Sequence, residues 1–470
     1  MDIFTSSITS QTFKLSSFDA IVSHTNSSFV AFYRNDHHDQ SKFMPVDMMR
    51  ESFYRTLVHF PIMVGDLVQR DDGGLEVAVD QHDLNMPDYC ESTVDDMHFK
   101  DVEATNFNPE FWPKGLIPWE SVAIKDKKSG RIKLLQVHIV RFKDNSGLAL
   151  AFNYVHAIGD AVYCRVWGNV WATEMRALEA GQPVAEIPLL FDRSIVQKCL
   201  PLERTPLDNT TKAFLTTPNA EAEAFARLPP HERHVLILDK INRDDMRRQS
   251  LFKFRAKELG ELVQEVNEFV PDGVHLSTSD VMITVIAKTL AQAHRAITEA
   301  SGIDTSDRGQ SVHKIDFPCN VRRHLSVPDN YMGNVLYQIL TYNTVEQVES
   351  PTTPQSIAEI AVKIRAGIKA VKAPLIAELF ETLEADPTRF TRPLMAANIF
   401  QQTMSITNQR HASTFSVDFG YGVPEFAIVS PAIQLQMMCM LFAKPKWNDT
   451  YVTLAERSDV LELVCGNKAW

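Results

Sequence analysis

Gly147-Leu-Ala-Leu-Ala-Phe-Asn-Tyr-Val155, followed by His156-Ala-Ile-Gly-Asp160-Ala-Val162, is the stretch that decides the fold. The first nine residues are short, aliphatic and aromatic, and are preceded by Asp144-Asn-Ser, so they predict a buried strand. Beyond them, Val162, Val166, Trp167, Val170, Trp171, Met175 and Leu178 recur at helical spacing up to Gly181, which predicts a helix. His156 therefore falls at a strand-to-helix junction, where a side chain can be presented to a cleft. Asp160 stands at the helix start, placed to cap it or to enter an ion pair. Among 15 His, an Asp four residues on is expected by chance about once, so the spacing alone carries little.

The chain has 470 residues, too many for one ordinary core, and two domains are expected. A net charge of -12 disfavours nucleic-acid and anionic-membrane partners, while a local basic patch could still hold an anionic ligand. The six Cys are scattered without Cys-x-x-Cys spacing or a zinc pattern, as in reduced thiols of a cytoplasmic protein. Met1-Asp-Ile-Phe-Thr-Ser-Ser has no basic segment leading into an apolar one, and no window is apolar enough to span a bilayer. A cytoplasmic monomer is expected, with no metal and no permanently bound cofactor.

Working outward, Ile132–Phe142 predicts the strand before the His156 strand, and Asp47–Val58 a helix. Arg70-Asp-Asp-Gly-Gly74 between apolar runs is a hairpin signal. Residues 200–234 carry five Pro among polar residues and read as a crossover linker. This gives domains at 1–199 and 235–470. In the second, Val235–Asp239, Leu251–Phe254, Val312–Val321 and Asn334–Tyr342 predict strands. Ala256–Phe269, the run after Ser277, Ser356–Val371 and Pro374–Ala385 predict helices, and the tail from Glu425 to Val464 reads mostly as strand. The mixture without strict alternation implies an α/β protein: two similarly sized domains with mixed sheets and flanking helices.

The second constellation is Asp418-Phe419-Gly420-Tyr421-Gly422. Two Gly around an aromatic residue suit a tight loop. Its Asp-Phe-Gly has no kinase companions, neither a Gly-rich loop nor His-Arg-Asp. With His156-x-x-x-Asp160, in this order, it resembles the BAHD acyltransferases, whose hallmarks are His-x-x-x-Asp and Asp-Phe-Gly-Trp-Gly. Pro61-Ile-Met-Val-Gly65, Gln136-Val137, Tyr331-Met-Gly-Asn334, Thr407-Asn408 and Val452-Thr-Leu454 add weaker matches along most of the chain. Val155 before the His, Ala161 after the Asp, and Tyr421 for Trp depart from the common pattern.

The resemblance implies a chloramphenicol-acetyltransferase-like fold with an active-site channel between the domains. It implies transfer of an acyl group from acyl-CoA to a small-molecule alcohol, or as a variant an amine. His156 would be the general base, which suits an imidazole with an ordinary pKa near 6.5. Asp160 would be structural support paired with Arg322 or the adjacent Arg323. Thr407 and Asn408 would stabilise the oxyanion, and Asp418–Gly422 would be scaffold. Lys253, Arg255, Lys257 and Ser277 would contact CoA. Alternatives are a condensation-like enzyme with a carrier-bound donor, and a non-catalytic binding protein on the same fold.

Overall fold

The computed structural model describes residues 7–22, 25–119, 123, 125–126, 129–184, 186–207, 247–302, 312–385, 403–410, 416–429, 438–443 and 449–466. The first half supplies β1 (Gln11–Lys14), β2 (Asn26–Arg34), β3 (Asp66–Gln69), β4 (Leu75–Val79), β5 (Asp88–Thr93), β6 (Leu135–Arg141) and β7 (Gly147–Val155). The second supplies β8 (Arg247–Phe254), β9 (Val312–Asn320), β10 (Leu336–Thr344), β11 (Thr403–Asn408), β12 (Phe426–Val429), β13 (Met438–Ala443) and β14 (Thr450–Arg457). They form a three-stranded sheet β1-β4-β3, a five-stranded sheet β12-β2-β7-β6-β5 and a six-stranded sheet β10-β9-β11-β13-β14-β8. Both larger sheets mix parallel and antiparallel pairs.

β7 is the predicted buried strand. Every residue in it is buried, because β2 and β6 flank it and both its faces are covered. Its antiparallel register with β2 sets Phe152 opposite Phe29, with ring centroids 4.9 Å apart. Helices α1 (Val46–His59) and α2 (Ala161–Glu179) pack together on this sheet; the Trp171 indole donates to Ser52 Oγ at 3.0 Å. The Arg70–Gly74 signal is the β3–β4 hairpin, with Gly73 at φ 85. On the six-stranded sheet lie α3 (Ala256–Asn267), α4 (Thr278–Ala300), α5 (Pro354–Ala370), α6 (Ala373–Glu384) and α7 (Ser458–Gly466). Among the described residues, the tail carries the strands β12, β13 and β14 and closes on α7.

Most of the crossover expected at 200–234 falls outside the described residues. Residues 208–246, including the expected Val235–Asp239 strand, lie outside the described residues. On either side of them the halves exchange segments. β12 pairs with β2 at the edge of the first half's sheet, and Phe426 stacks on Phe107 at 4.9 Å. Val417, Phe419, Phe442 and Tyr451 join the same first core. In return Phe18, in the short turn Ser17–Ala20, enters the second core and meets Phe380 edge-on at 5.2 Å. The apolar side chains of these segments decide their placement, because each core is covered only with the other half's contribution.

Candidate active site

β7 ends at Val155 and the chain turns at once through His156–Ile158 into α2. Gly159 permits the turn: a Cβ there would lie 2.3 Å from the Tyr163 ring. The His156 amide donates to Thr25 O at 2.9 Å, fixing the residue to the segment before β2. The ring is half-buried, and Nδ1 is enclosed. Nε2 is then the nitrogen left to meet an incoming group. Burial pushes the imidazole pKa below its ordinary value, against a hydrogen bond with its own backbone, the charges of Asp160 and Asp19, and Asn334. The free-base form, the one able to accept a proton, is thus favoured.

Asp160 turns away from this space. Its Oδ1 accepts from the Val162 amide at 3.0 Å, capping α2. Arg322 grips it with both terminal nitrogens, Nη1 to Oδ2 at 2.6 Å and Nη2 to Oδ1 at 3.1 Å. Both side chains are buried, whereas Arg323 is exposed. Arg322 is therefore the partner. Removing either member would strand a buried charge.

A second clamp holds the same turn. Asp19 Oδ1 accepts from the Asn334 amide (2.9 Å) and Nδ2 (2.8 Å), and Nδ2 also donates to His156 O at 2.9 Å. Arg193 donates to Asp19 Oδ2 at 3.0 Å and to Ile158 O at 2.9 Å. Both arginines lie over the Tyr331 ring. Asp19 and Arg193 are absent from the sequence reading. The available signal was Ser16-Ser-Phe-Asp19, a capping box at the short Ser17–Ala20 turn. Nothing local marks its contact with Arg193 or Asn334.

The expected pair Thr407 and Asn408 is divided by the pleat of β11. Successive strand residues face opposite ways. Asn408 Nδ2 donates to Ser279 Oγ at 2.9 Å, on the α4 side. Met404 and Ile406 enter the second core on that same side, so Thr407 is on the opposite face of the sheet, the one from which Phe442 enters the first core. Thr407 is half-buried.

Lys253, Arg255 and Lys257 come together where β8 leads into α3, but each is paired with an acid. Lys253 meets Asp449 at 2.8 Å, Arg255 meets Glu258 at 2.7 Å, and Lys257 lies 3.8 Å from Glu261. Exposed pairs of this kind contribute about 0–1 kcal/mol and can reopen for a ligand. Ser277 stands apart, about 15 Å away along α3 from Lys257. It caps α4, and its Oγ donates to Asp280 at 2.8 Å and accepts from Arg365 at 2.6 Å.

Asp418–Gly422 forms a tight loop held by its own hydrogen bonds. Asp418 Oδ1 accepts from the amides of Gly420 (2.8 Å) and Gly422 (2.9 Å). Those glycines sit at φ 101 and φ 92, where a side chain is strained. Phe419 packs edge-on against Trp171 and Tyr33, and Arg176 donates to Asp418 O. Arg176 is sixteen residues along α2 from Asp160, so the motif lies roughly 24 Å along that helix from its cap.

The Transferase family model matches residues 3–457. The chain belongs to that family, the BAHD-type acyltransferases. It is an acyl-CoA-dependent acyltransferase of the chloramphenicol-acetyltransferase-like fold. A structure of F. sporotrichioides TRI101 complexed with coenzyme A and T-2 is similar at TM-score 0.75 and 14% identity, covering 98% of each chain. Vinorine synthase is similar at TM-score 0.63 and 16% identity, covering 96% of this chain and 91% of its own. The first condensation domain of the CDA synthetase is similar at 0.56 and 12%, covering 97% and 96%. Among the described residues of this BAHD-type chain, no helix is long and apolar enough to cross a membrane.

Proposed function

We propose that the enzyme moves a small acyl group, such as acetyl, from acyl-CoA to a hydroxyl of a secondary-metabolite acceptor, with His156 as general base. The observation that carries this reading is the held, free-base imidazole: Nδ1 enclosed, the backbone pinned by Asn334, and the neighbouring carboxylate tied to Arg322. An alcohol attacks a thioester poorly until a base takes its proton as the bond forms. His156 Nε2 accepts that proton while the acceptor oxygen bonds to the carbonyl carbon. Thr407 donates to the oxyanion. As the C–S bond breaks, the imidazolium returns the proton to the CoA thiolate. No enzyme nucleophile takes part.

Lys253, Arg255 and Lys257 exchange their acid partners for CoA phosphates, with Ser277 further along the same ligand. The likeness to TRI101, solved with coenzyme A, supports the cosubstrate. The protein works as a cytoplasmic monomer with its channel between the two cores. An amine acceptor is the near variant. A carrier-bound donor is the second reading, favoured by the likeness to the condensation domain. Incubation with a panel of acyl-CoAs and alcohols, monitored by free thiol release, tests the proposal. Thiol release that depends on both substrates is expected. Transfer only from a pantetheinylated carrier protein would favour the second reading.

A further inference from the structure

β9 holds a buried carboxylate that the mechanism leaves unused. Ile315 and Phe317 enter the second core, so Asp316 faces the other way. That face of the six-stranded sheet looks toward the first core, which Phe442 and Tyr451 enter from β13 and β14. Asp316 is 1% exposed. It accepts hydrogen bonds from Gln338 Nε2 on β10 and Ser405 Oγ on β11. Ser405 stands opposite Asp316 in the ladder. Thr407, two residues on, shares its face about 7 Å further along. β9 then runs on into Arg322, the partner of Asp160. The Asp316 cluster thus shares a sheet face with Thr407, the proposed oxyanion donor, on the strand that leads to Arg322.

An ionised carboxylate can only accept. It takes the Ser405 hydroxyl hydrogen and turns Nε2 of Gln338 inward. The half-buried outer side of the cluster then shows Gln338 Oε1 and the Ser405 lone pairs, with negative charge behind them. Burial raises the Asp316 pKa to about 6, opposed only by Ser405, Gln338 and its own backbone, so the group is largely ionised above neutrality. Lys314, next on the same face, is made less basic by burial and contributes nothing to Asp316. A buried charge with neutral partners alone is costly unless something supplies the opposite charge.

We propose that Asp316, Gln338 and Ser405 form the acceptor-recognition site and select a small alcohol that carries a protonated amine. Asp316 is the positioning residue, acting through the other two. This rests on the acyl-transfer reading for the identity of the bound alcohol.

The test compares para-(aminomethyl)benzyl alcohol with para-methylbenzyl alcohol at about pH 8, where both the amine and Asp316 are charged. Binding is measured by ligand-observed NMR titration and turnover by thiol release from acetyl-CoA. The parent enzyme should bind the amine about tenfold or more tightly than its neutral partner, the size of a charge-assisted hydrogen bond. Asp316→Asn should erase that ratio. If that variant does not fold, Gln338→Leu should reduce the ratio several-fold. Equal binding of the two alcohols, undetectable binding of both, or a ratio that survives in the variant overturns the proposal. Discrimination in binding with no thiol release from any acyl-CoA would instead overturn the acyl-transfer reading alone.

Discussion

At His156, burial and two aspartates act in opposite directions on the imidazole, and burial is the larger influence. Because the folded pKa lies below the ordinary 6.5, the base is already free at neutral pH. The acid limb of kcat/KM against pH should therefore have its midpoint below 6.5. A midpoint above that value would mean that Asp160 and Asp19 outweigh burial. Asp160→Ala removes one half of a buried ion pair and should cost about 3–5 kcal/mol, read as a shifted denaturation midpoint. A variant that unfolds like the parent yet has no turnover would give Asp160 a direct chemical role. Asp316 has the opposite pH sign to a salt-bridged acid. Its folded pKa is raised from 3.8 to about 6, so folding favours the protonated form. Its contribution is lost as pH rises through that window, by about 3 kcal/mol once above it. Between pH 4 and pH 7 the parent should lose stability that Asp316→Asn retains, measured by urea titration at each pH.

At the scale of elements, α2 is the organising strut. Asp160 caps one end beside His156, and Asp418–Gly422 closes over the other through Phe419 and Arg176. Gly420→Ala places a side chain at φ 101 and should destabilise the fold by about 1–3 kcal/mol, while turnover per folded molecule stays near parental. Loss of turnover without loss of stability would move that motif into the chemistry. β7, the β3–β4 hairpin and α2 were legible in the chain because each is written in local pattern: a continuous apolar run, paired Gly after Asp, and a helical stripe. The split of Thr407 from Asn408 follows from the pleat once β11 is recognised. The clamp behind His156 was not legible. Arg193 reaches Asp19 across 174 positions and Asn334 reaches it across 315, and no periodicity records such a contact.

Across the whole molecule, the two cores are built from exchanged pieces. Because β12 completes the first sheet and Phe18 enters the second core, neither half closes on itself. Calorimetry should accordingly show one cooperative unfolding transition; two separable transitions would contradict the exchange. The Pro-rich change of composition at 200–234 pointed to a division of the chain, but composition cannot show that Phe426–Val429 returns to β2. That return depends on which sheet edge its apolar side chains cover. The proposed role of this shared architecture is to hold His156 as the base for acyl transfer. It is tested most directly on folded His156→Ala, by single-turnover acyl transfer together with calorimetric CoA affinity. Transfer should fall about 10²–10⁴-fold while CoA affinity stays near parental, because the proposed phosphate contacts lie elsewhere. Near-parental transfer would contradict the account.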